Sequence, residues 1–210
     1  MRAECAERHG GEAHDGRHGD GGDGGARIHR AAFSGEIPLV TAAGAFFTAC
    51  MDWLTWQPRE YANLCFIVKD ERVLLIRKKR GLGAGKINGP GGKLEPGETA
   101  HDAAVREVQE EIGVTPLHLE DRGVLHFQFA DGYSLHCAVF VARDLDGDPI
   151  ETAEATPFWV PLDAVPLHEM WEDDQYWLPQ VLAGQRFNGW FVFDGDKMLS
   201  KRLEFLPCLA

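Results

Sequence analysis

Glu107, Glu110 and Glu111 close the stretch GPGGKLEPGETAHDAAVREVQEEIGV, residues 89 to 114. Spaced i, i+3 and i+4, they share one side of any helix that carries them. Ala104, Val105, Val108 and Ile112 form an apolar stripe beside them, so the three carboxylates are expected at the edge of the buried face. Like charges at these spacings each destabilise a helix by about 0.2–0.5 kcal/mol. They also lie in the last turn, where the helix dipole disfavours anions, and on the same helix only Arg106 is within reach. A solvated acidic face is the ordinary fate of such glutamates, but a divalent cation removes both penalties. Oxygen-only ligands on one face suit Mg²⁺, with Mn²⁺ as a substitute, completed by water and by substrate phosphates.

The elements that must hold these groups are legible on either side. Thr99 can cap the helix N-terminus, with Asp102 three residues on as a weak echo of a capping box, and Gly113 falls where a left-handed residue ends a helix. Upstream, Gly91 and Gly92 let the backbone approach a ligand closely, and Pro90 and Pro96 stiffen the loop. The segment RGLGAGKIN, residues 80 to 88, is not a phosphate-binding P-loop, because it lacks G-x4-G-K-[ST] and a prolyl turn follows where a helix should start. Strand patterning places strands at residues 63 to 68 and 72 to 78 with a tight turn at Asp70-Glu71. A hairpin is expected around Asp131-Gly132, and another around Asp194-Gly195. Between them PFWVPLDAVP reads as a short strand and turn, and DDQYWLPQVLAG as a helix interrupted by Pro179 and closed near Gly184.

The 210 residues carry a net charge of -12, which argues against a nucleic-acid polymer held through its phosphate backbone. A small phosphorylated ligand then needs local help, such as a metal ion. No apolar run reaches the roughly 18 residues of a membrane span. The five cysteines, Cys5, Cys50, Cys65, Cys137 and Cys208, are scattered and form no C-x2-C pair, so neither a disulfide framework nor a zinc site is indicated and a reducing cytoplasm is the simplest compartment. Residues 1 to 30 hold eight of the 24 glycines and four of the nine histidines, His9, His14, His18 and His29. Such a composition cannot offset chain entropy by burial, so an unstructured tail is expected rather than a metal-binding tract. IPLVTAAGAFFTACM, residues 37 to 51, has the length of a signal-peptide core but begins late and follows a polar tail. Residues 1 to 50 are accordingly read as an appended extension or a misassigned start, and 51 to 210 as the domain.

The stretch as a whole resembles the Nudix box, G-x5-E-x7-R-E-U-x-E-E-x-G-U with U aliphatic. Gly92, Glu98, Arg106, Glu107, Val108, Glu110, Glu111, Gly113 and Val114 fill every defined place. Across about residues 60 to 205 the chain is similar to the MutT-like branch that hydrolyses oxidised purine nucleoside triphosphates, through KKRGLGAGKINGPGGK, the hairpin bearing Phe127 and Phe129, and MWEDDQYWLP. The resemblance implies an α+β fold, a mixed β-sheet between α-helices. It implies catalysis by Glu107, Glu110 and Glu111, which hold the metal with the Gly91 carbonyl and Glu154 as further ligands, while Glu98 and Arg106 brace the box. It also implies a substrate site built from Asn63, Lys78, Asn88, Gly91, Gly92, Lys93, Phe127, Phe129, Trp171, Asp173 and Asp174. Lys78, Lys79 and Lys93 are candidates to meet phosphate charge. The chain departs from that branch at Leu82, Ile87 and Pro90, where aromatic residues are the pattern, and at Asn63, where threonine is. The reaction implied is hydrolysis of a small-molecule nucleoside triphosphate such as 8-oxo-dGTP or 2-hydroxy-dATP to the monophosphate and pyrophosphate, by a monomer. ADP-ribose or dinucleoside polyphosphate hydrolysis, and a silent nucleotide-binding module, are the alternatives.

Two carboxylates crowded among Trp171, Tyr176 and Trp177 are hard to ionise together, because desolvation and like-charge repulsion both raise a pKa. One of Asp173 and Asp174 is therefore expected to keep its proton near neutral pH, donating a hydrogen bond while its neighbour accepts one.

Overall fold

A computed structural model describes residues 51 to 207 in full, together with the backbone of two short strands, β1 (Ile37–Val40) and β2 (Phe46–Ala49), which pair antiparallel. The tail of residues 1 to 30 and its histidines lie outside the described residues. From Glu60 the order is β3 (Glu60–Lys69), β4 (Arg72–Lys78), β5 (Ile87–Asn88), α1 (Ala100–Ile112), β6 (Thr115–Leu117), β7 (Glu120–Phe129) and β8 (Ser134–Ala142). There follow β9 (Asp144–Asp146), β10 (Ala155–Pro161), α2 (Asp174–Leu182), β11 (Arg186–Asp194) and β12 (Lys197–Leu206).

One mixed sheet runs β10-β4-β3-β8-β7-β11-β12, with β5 paired to β4. β3 pairs with β8, and β7 with β11, in parallel, and the other neighbours are antiparallel. A helix covers each face, as the resemblance implied. On one side Ala104, Val108 and Ile112 of α1 pack on Cys65, Ile67, Leu74, Ile76 and Phe140. On the other, Trp177, Leu178, Val181 and Leu182 of α2 pack on Phe66, Leu125 and Phe187. Alternation along β3 creates this division, since adjacent residues of a strand point to opposite faces.

Local chemistry fixes the turns. Asp70 and Glu71 both adopt positive φ, 50° and 56°, which matches a two-residue hairpin to the strand twist. The Asp131-Gly132 hairpin is formed as expected, while the last hairpin turns at Gly195-Asp196. Two readings of the helices need correction. The buried stripe of α1 comprises Ala103, Ala104, Val108 and Ile112, with Val105 only partly covered. Pro179 does not interrupt α2: it lies on the exposed side, and the helix continues through it to Leu182, with the Ala183 N–H donating to the Pro179 carbonyl. The carbonyl that loses its partner belongs to exposed Gln175, where water can satisfy it. Gly184, at φ 99°, follows the helix. Among the described residues no helix is long and apolar enough to cross a membrane, and Cys65 and Cys137 are buried free thiols.

Candidate active site

The box helix is held at both ends by its own sequence. The Thr99 hydroxyl accepts from the Asp102 N–H at 3.1 Å, and Gly113 closes the C-terminus at φ 76°, its N–H donating to the Gln109 carbonyl. The Arg106 guanidinium forks onto Glu98, with both N···O distances 2.9 Å, and donates to the Lys93 carbonyl at 3.1 Å. This pairing ties the glycine loop to the helix. Arg106 holds the Glu98 carboxyl well below the usual carboxylate range.

The two glycines are required by contact. A Cβ on Gly91 would lie 2.2 Å from the Asn63 carbonyl oxygen, and one on Gly92 would lie 2.4 Å from the carboxylate of Glu107. The loop can therefore press against β3 on one side and against the box helix on the other only without side chains. The Gly91 N–H donates to Glu111 Oε2 at 2.9 Å.

The three glutamates are not equivalent. Glu111 is 2% exposed and so lies within the buried face rather than at its edge, whereas Glu110 is exposed and Glu107 partly covered. Burial pushes the Glu111 carboxyl up against the opposing pull of Lys78, and burial likewise raises Glu107 against the pull of Arg106. Arg106 reaches Glu107 at 2.9 Å and Glu110 at 3.1 Å. The Lys78 ammonium stands 3.2 Å from Glu111 Oε1 and 3.4 Å from the Gly91 carbonyl oxygen. Among the described residues no three carboxylate, imidazole or thiol groups are gathered into a ligand cluster, and Arg106 and Lys78 hold the glutamates. The donors nevertheless fit a hard divalent cation. They are all oxygens, and Glu111 and Gly91 already converge on a cationic group. Freeing Glu110 requires the loss of only one exposed ion pair, an interaction worth about 0–1 kcal/mol.

Glu154 pairs with Arg80 and does not line the cavity, and its charge adds to the upward push on Glu111. Lys79 is also drawn away, to Glu151 at 2.5 Å and the Thr152 carbonyl at 2.6 Å.

Beside the glycine loop lies a cavity whose lining joins most of the remaining candidates. Asn63, Lys78, Asn88, Gly91, Gly92, Lys93, Phe127, Phe129, Trp171, Asp173 and Asp174 all border it. Phe127 and Phe129 present an aromatic wall with Phe193, and Trp171 meets Phe129 and Phe193 edge-on. Asn63 is buried, with Nδ2 donating to the Gly92 carbonyl at 3.3 Å and Oδ1 unpartnered. Asp173 and Asp174 are 1% and 3% exposed. Asp173 makes no capping bond; its Oδ2 accepts from Trp177 Nε1 at 2.9 Å and its Oδ1 has no partner. Asp174 Oδ2 accepts from the Trp171 backbone N–H at 3.0 Å. Burial raises both carboxyls above the usual range, and Asp173 raises Asp174 further.

Sequence reasoning missed several lining residues, among them Leu125, Tyr133, Leu135, Cys137 and Phe193. It also missed a clasp at the cavity mouth, where Glu60 Oε2 accepts from the Tyr133 hydroxyl at 2.5 Å and meets the Lys93 ammonium at 2.6 Å. Register alone could have found Leu135 and Cys137, since they pair with Phe127 and Leu125 across the β7–β8 hairpin.

A model of the NUDIX domain matches residues 58–181. The oxidized purine nucleoside triphosphate hydrolase of Danio rerio is 42% identical over 138 residues, 65% of this chain and 88% of that protein. Its namesake in Mus musculus is 42% identical over 143 residues, 67% of this chain and 92% of that one. Among solved structures, the mutator MutT protein of Bacillus halodurans superposes with a TM-score of 0.63 at 29% identity, covering 69% of this chain and 97% of its own.

Proposed function

The chain belongs to the Nudix family of hydrolases, and from that premise we propose that it hydrolyses oxidised purine nucleoside triphosphates, such as 8-oxo-dGTP and 2-hydroxy-dATP, to the monophosphate and pyrophosphate. Water attacks phosphorus, one P–O anhydride bond breaks, and pyrophosphate leaves. The observation that carries the reading is the cavity itself, because it joins the glycine loop, whose Gly91 N–H bonds to Glu111, to a buried carboxyl pair to which no basic side chain bonds among the described residues.

Nudix hydrolases use divalent cations. Mg²⁺ is the one proposed here, with Mn²⁺ as a substitute, held by Glu107, Glu110, Glu111 and the Gly91 carbonyl, with Glu154 within reach only if it leaves Arg80. The chemistry such a cation supplies is neutralisation of phosphate oxygens and activation of water. A carboxylate of the box accepts the proton of the attacking water. Lys78 is placed to exchange its contact with Glu111 for a phosphate oxygen, and Lys93 to exchange its contact with Glu60. Glu98 and Arg106 keep the loop and helix in register.

At the base, the protonated member of the Asp173–Asp174 pair donates and its ionised neighbour accepts, so the pair reads a purine edge that offers the complementary pattern. Trp171 stacks on the base, Phe127 and Phe129 form the wall, and the Asn88 amide and Asn63 Oδ1 remain for further polar contacts. The protein is proposed to act as a monomer on free nucleotides in the cytoplasm, with residues 51 to 210 as the active domain.

The test is pyrophosphate release from 8-oxo-dGTP, 2-hydroxy-dATP, dGTP, dATP, ADP-ribose and diadenosine polyphosphates, with and without Mg²⁺. The expected result is Mg²⁺-dependent release with the highest kcat/KM on the oxidised purines. Faster turnover of ADP-ribose or a dinucleoside polyphosphate would overturn the substrate assignment and keep the reaction class.

A further inference from the structure

Trp171 is fixed more firmly than a cavity wall requires, and one of its neighbours carries charge. The Lys86 ammonium lies over the indole, 4.9 Å from the ring centroid, and is itself held by Asp196 Oδ2 at 3.0 Å across the β11–β12 turn. Trp171 lines the cavity and Lys86 does not, and the Lys86 charge also reaches Asp174, opposing the rise of its carboxyl. The remaining sides are closed: a Cβ on Gly83 would meet the indole nitrogen at 3.0 Å, Phe193 packs on the ring at 84° and Phe129 at 75°, and the backbone N–H is bound to Asp174. The Lys86 backbone is pinned as well, its N–H donating to the Gly83 carbonyl at 2.9 Å.

We propose that Lys86 is a specificity-determining positioning residue, which holds a cation behind Trp171 and so makes the cavity-facing side of the indole favour electron-rich purines. The inference rests on the reading that a purine stacks on Trp171. A cation over one face of an aromatic ring draws π density toward itself. The opposite face becomes less negative, and the repulsion between stacked π systems falls most for a base rich in electrons. Adding an oxygen substituent at C8 or C2 makes a purine richer in electrons, so the Lys86–Trp171 pair favours the oxidised base over its normal counterpart without touching either. Asp196 holds the ammonium in place and, lying in the β11–β12 turn, couples that turn to base selection.

The experiment is calorimetric binding of 8-oxo-dGMP and dGMP to wild type, Lys86→Met and Lys86→Arg, in parallel with kcat/KM on the two triphosphates. Lys86→Met should weaken 8-oxo-dGMP by roughly three- to tenfold and dGMP by less than about twofold. The loss should appear in KM rather than kcat, with Lys86→Arg restoring the ratio. Equal weakening of both ligands would reduce Lys86 to a loop brace and overturn the proposal. So would a displaced pH profile with an unchanged preference, which would mean that Lys86 acts through Asp174. If wild type hydrolyses 8-oxo-dGTP no better than dGTP, the proposed function fails, yet the two monophosphate affinities still decide whether Lys86 biases stacking.

Discussion

Glu111 and Asp174 are almost equally closed off from solvent, 2% and 3% exposed, but Glu111 faces the Lys78 ammonium and the Gly91 N–H, whereas among the described residues no basic side chain bonds to Asp174. Burial raises both carboxyls. What differs is the remedy each environment permits. On the box helix, carboxylates stand beside basic groups and a carbonyl oxygen, so positive charge relieves them. Around the Asp173–Asp174 pair are aromatic rings, the Trp177 indole N–H, the Trp171 backbone N–H and the unbonded charge of Lys86, so burial dominates and protonation relieves it. On the proposed reading one acidic cluster is relieved by a cation and the other by a proton.

The largest effect should come from the first cluster. Glu111→Gln and Glu110→Gln should each lower Mg²⁺-dependent kcat by about a hundredfold or more, while the affinity for nucleoside monophosphates changes little. Near-normal turnover in both variants would remove the metal from the account. Gly92→Ala comes next: its Cβ would meet the Glu107 carboxylate at 2.4 Å, displacing that group. Turnover should fall by about tenfold or more, with melting behaviour close to wild type; an unimpaired variant would show that the placement of Glu107 is not critical.

The second cluster should fail differently. Asp173→Asn and Asp174→Asn should each reduce kcat/KM on oxidised purines by about tenfold, the ~1.4 kcal/mol of a buried hydrogen bond to a charged group, with metal dependence unchanged. Retention of full activity and full preference would leave the pair without a role in reading the base. The smallest effect is on stability. Asp173 is pushed up to about 6 from an ordinary 3.8, so its contribution to folding is fully present below pH 3.8 and is lost as the pH rises through about 6. Thermal melts of Asp173→Asn should therefore gain on wild type as the pH rises from 4 to 8. A constant difference across that range would mean that the folded carboxyl titrates normally.

Much of the first cluster was legible in the sequence because helical spacing is local. Thr99, Gly113, the Glu98–Arg106 pair and the glutamate stripe all follow from periodicity or from the box pattern. Periodicity could not show that Glu111 is buried and Glu110 exposed, since that depends on how the glycine loop presses on the helix through Gly91 and Gly92. Lys78 and Lys79 were grouped as phosphate candidates, although at the end of β4 they part, Lys78 to Glu111 and Lys79 to Glu151. The second cluster was legible only as two aspartates among aromatic residues. Its enclosure depends on β7, β8 and β11 meeting around α2, a long-range arrangement with no local signal. Pro179 was misread for a related reason: whether a proline breaks a helix depends on whether the carbonyl it orphans is exposed to water, and here it belongs to exposed Gln175.

The contrast between the two clusters is tested most directly by carbon-13 NMR titration of side-chain carboxyls, with aspartate and glutamate labelled, in the presence and absence of Mg²⁺. Assignment by the Asn and Gln variants identifies each signal. The account predicts that at pH 7 the Asp173–Asp174 pair retains a proton and does not respond to Mg²⁺, while the signals of Glu107, Glu110 and Glu111 move on its addition. A fully ionised aspartate pair at pH 7, or glutamate signals indifferent to Mg²⁺, would contradict it.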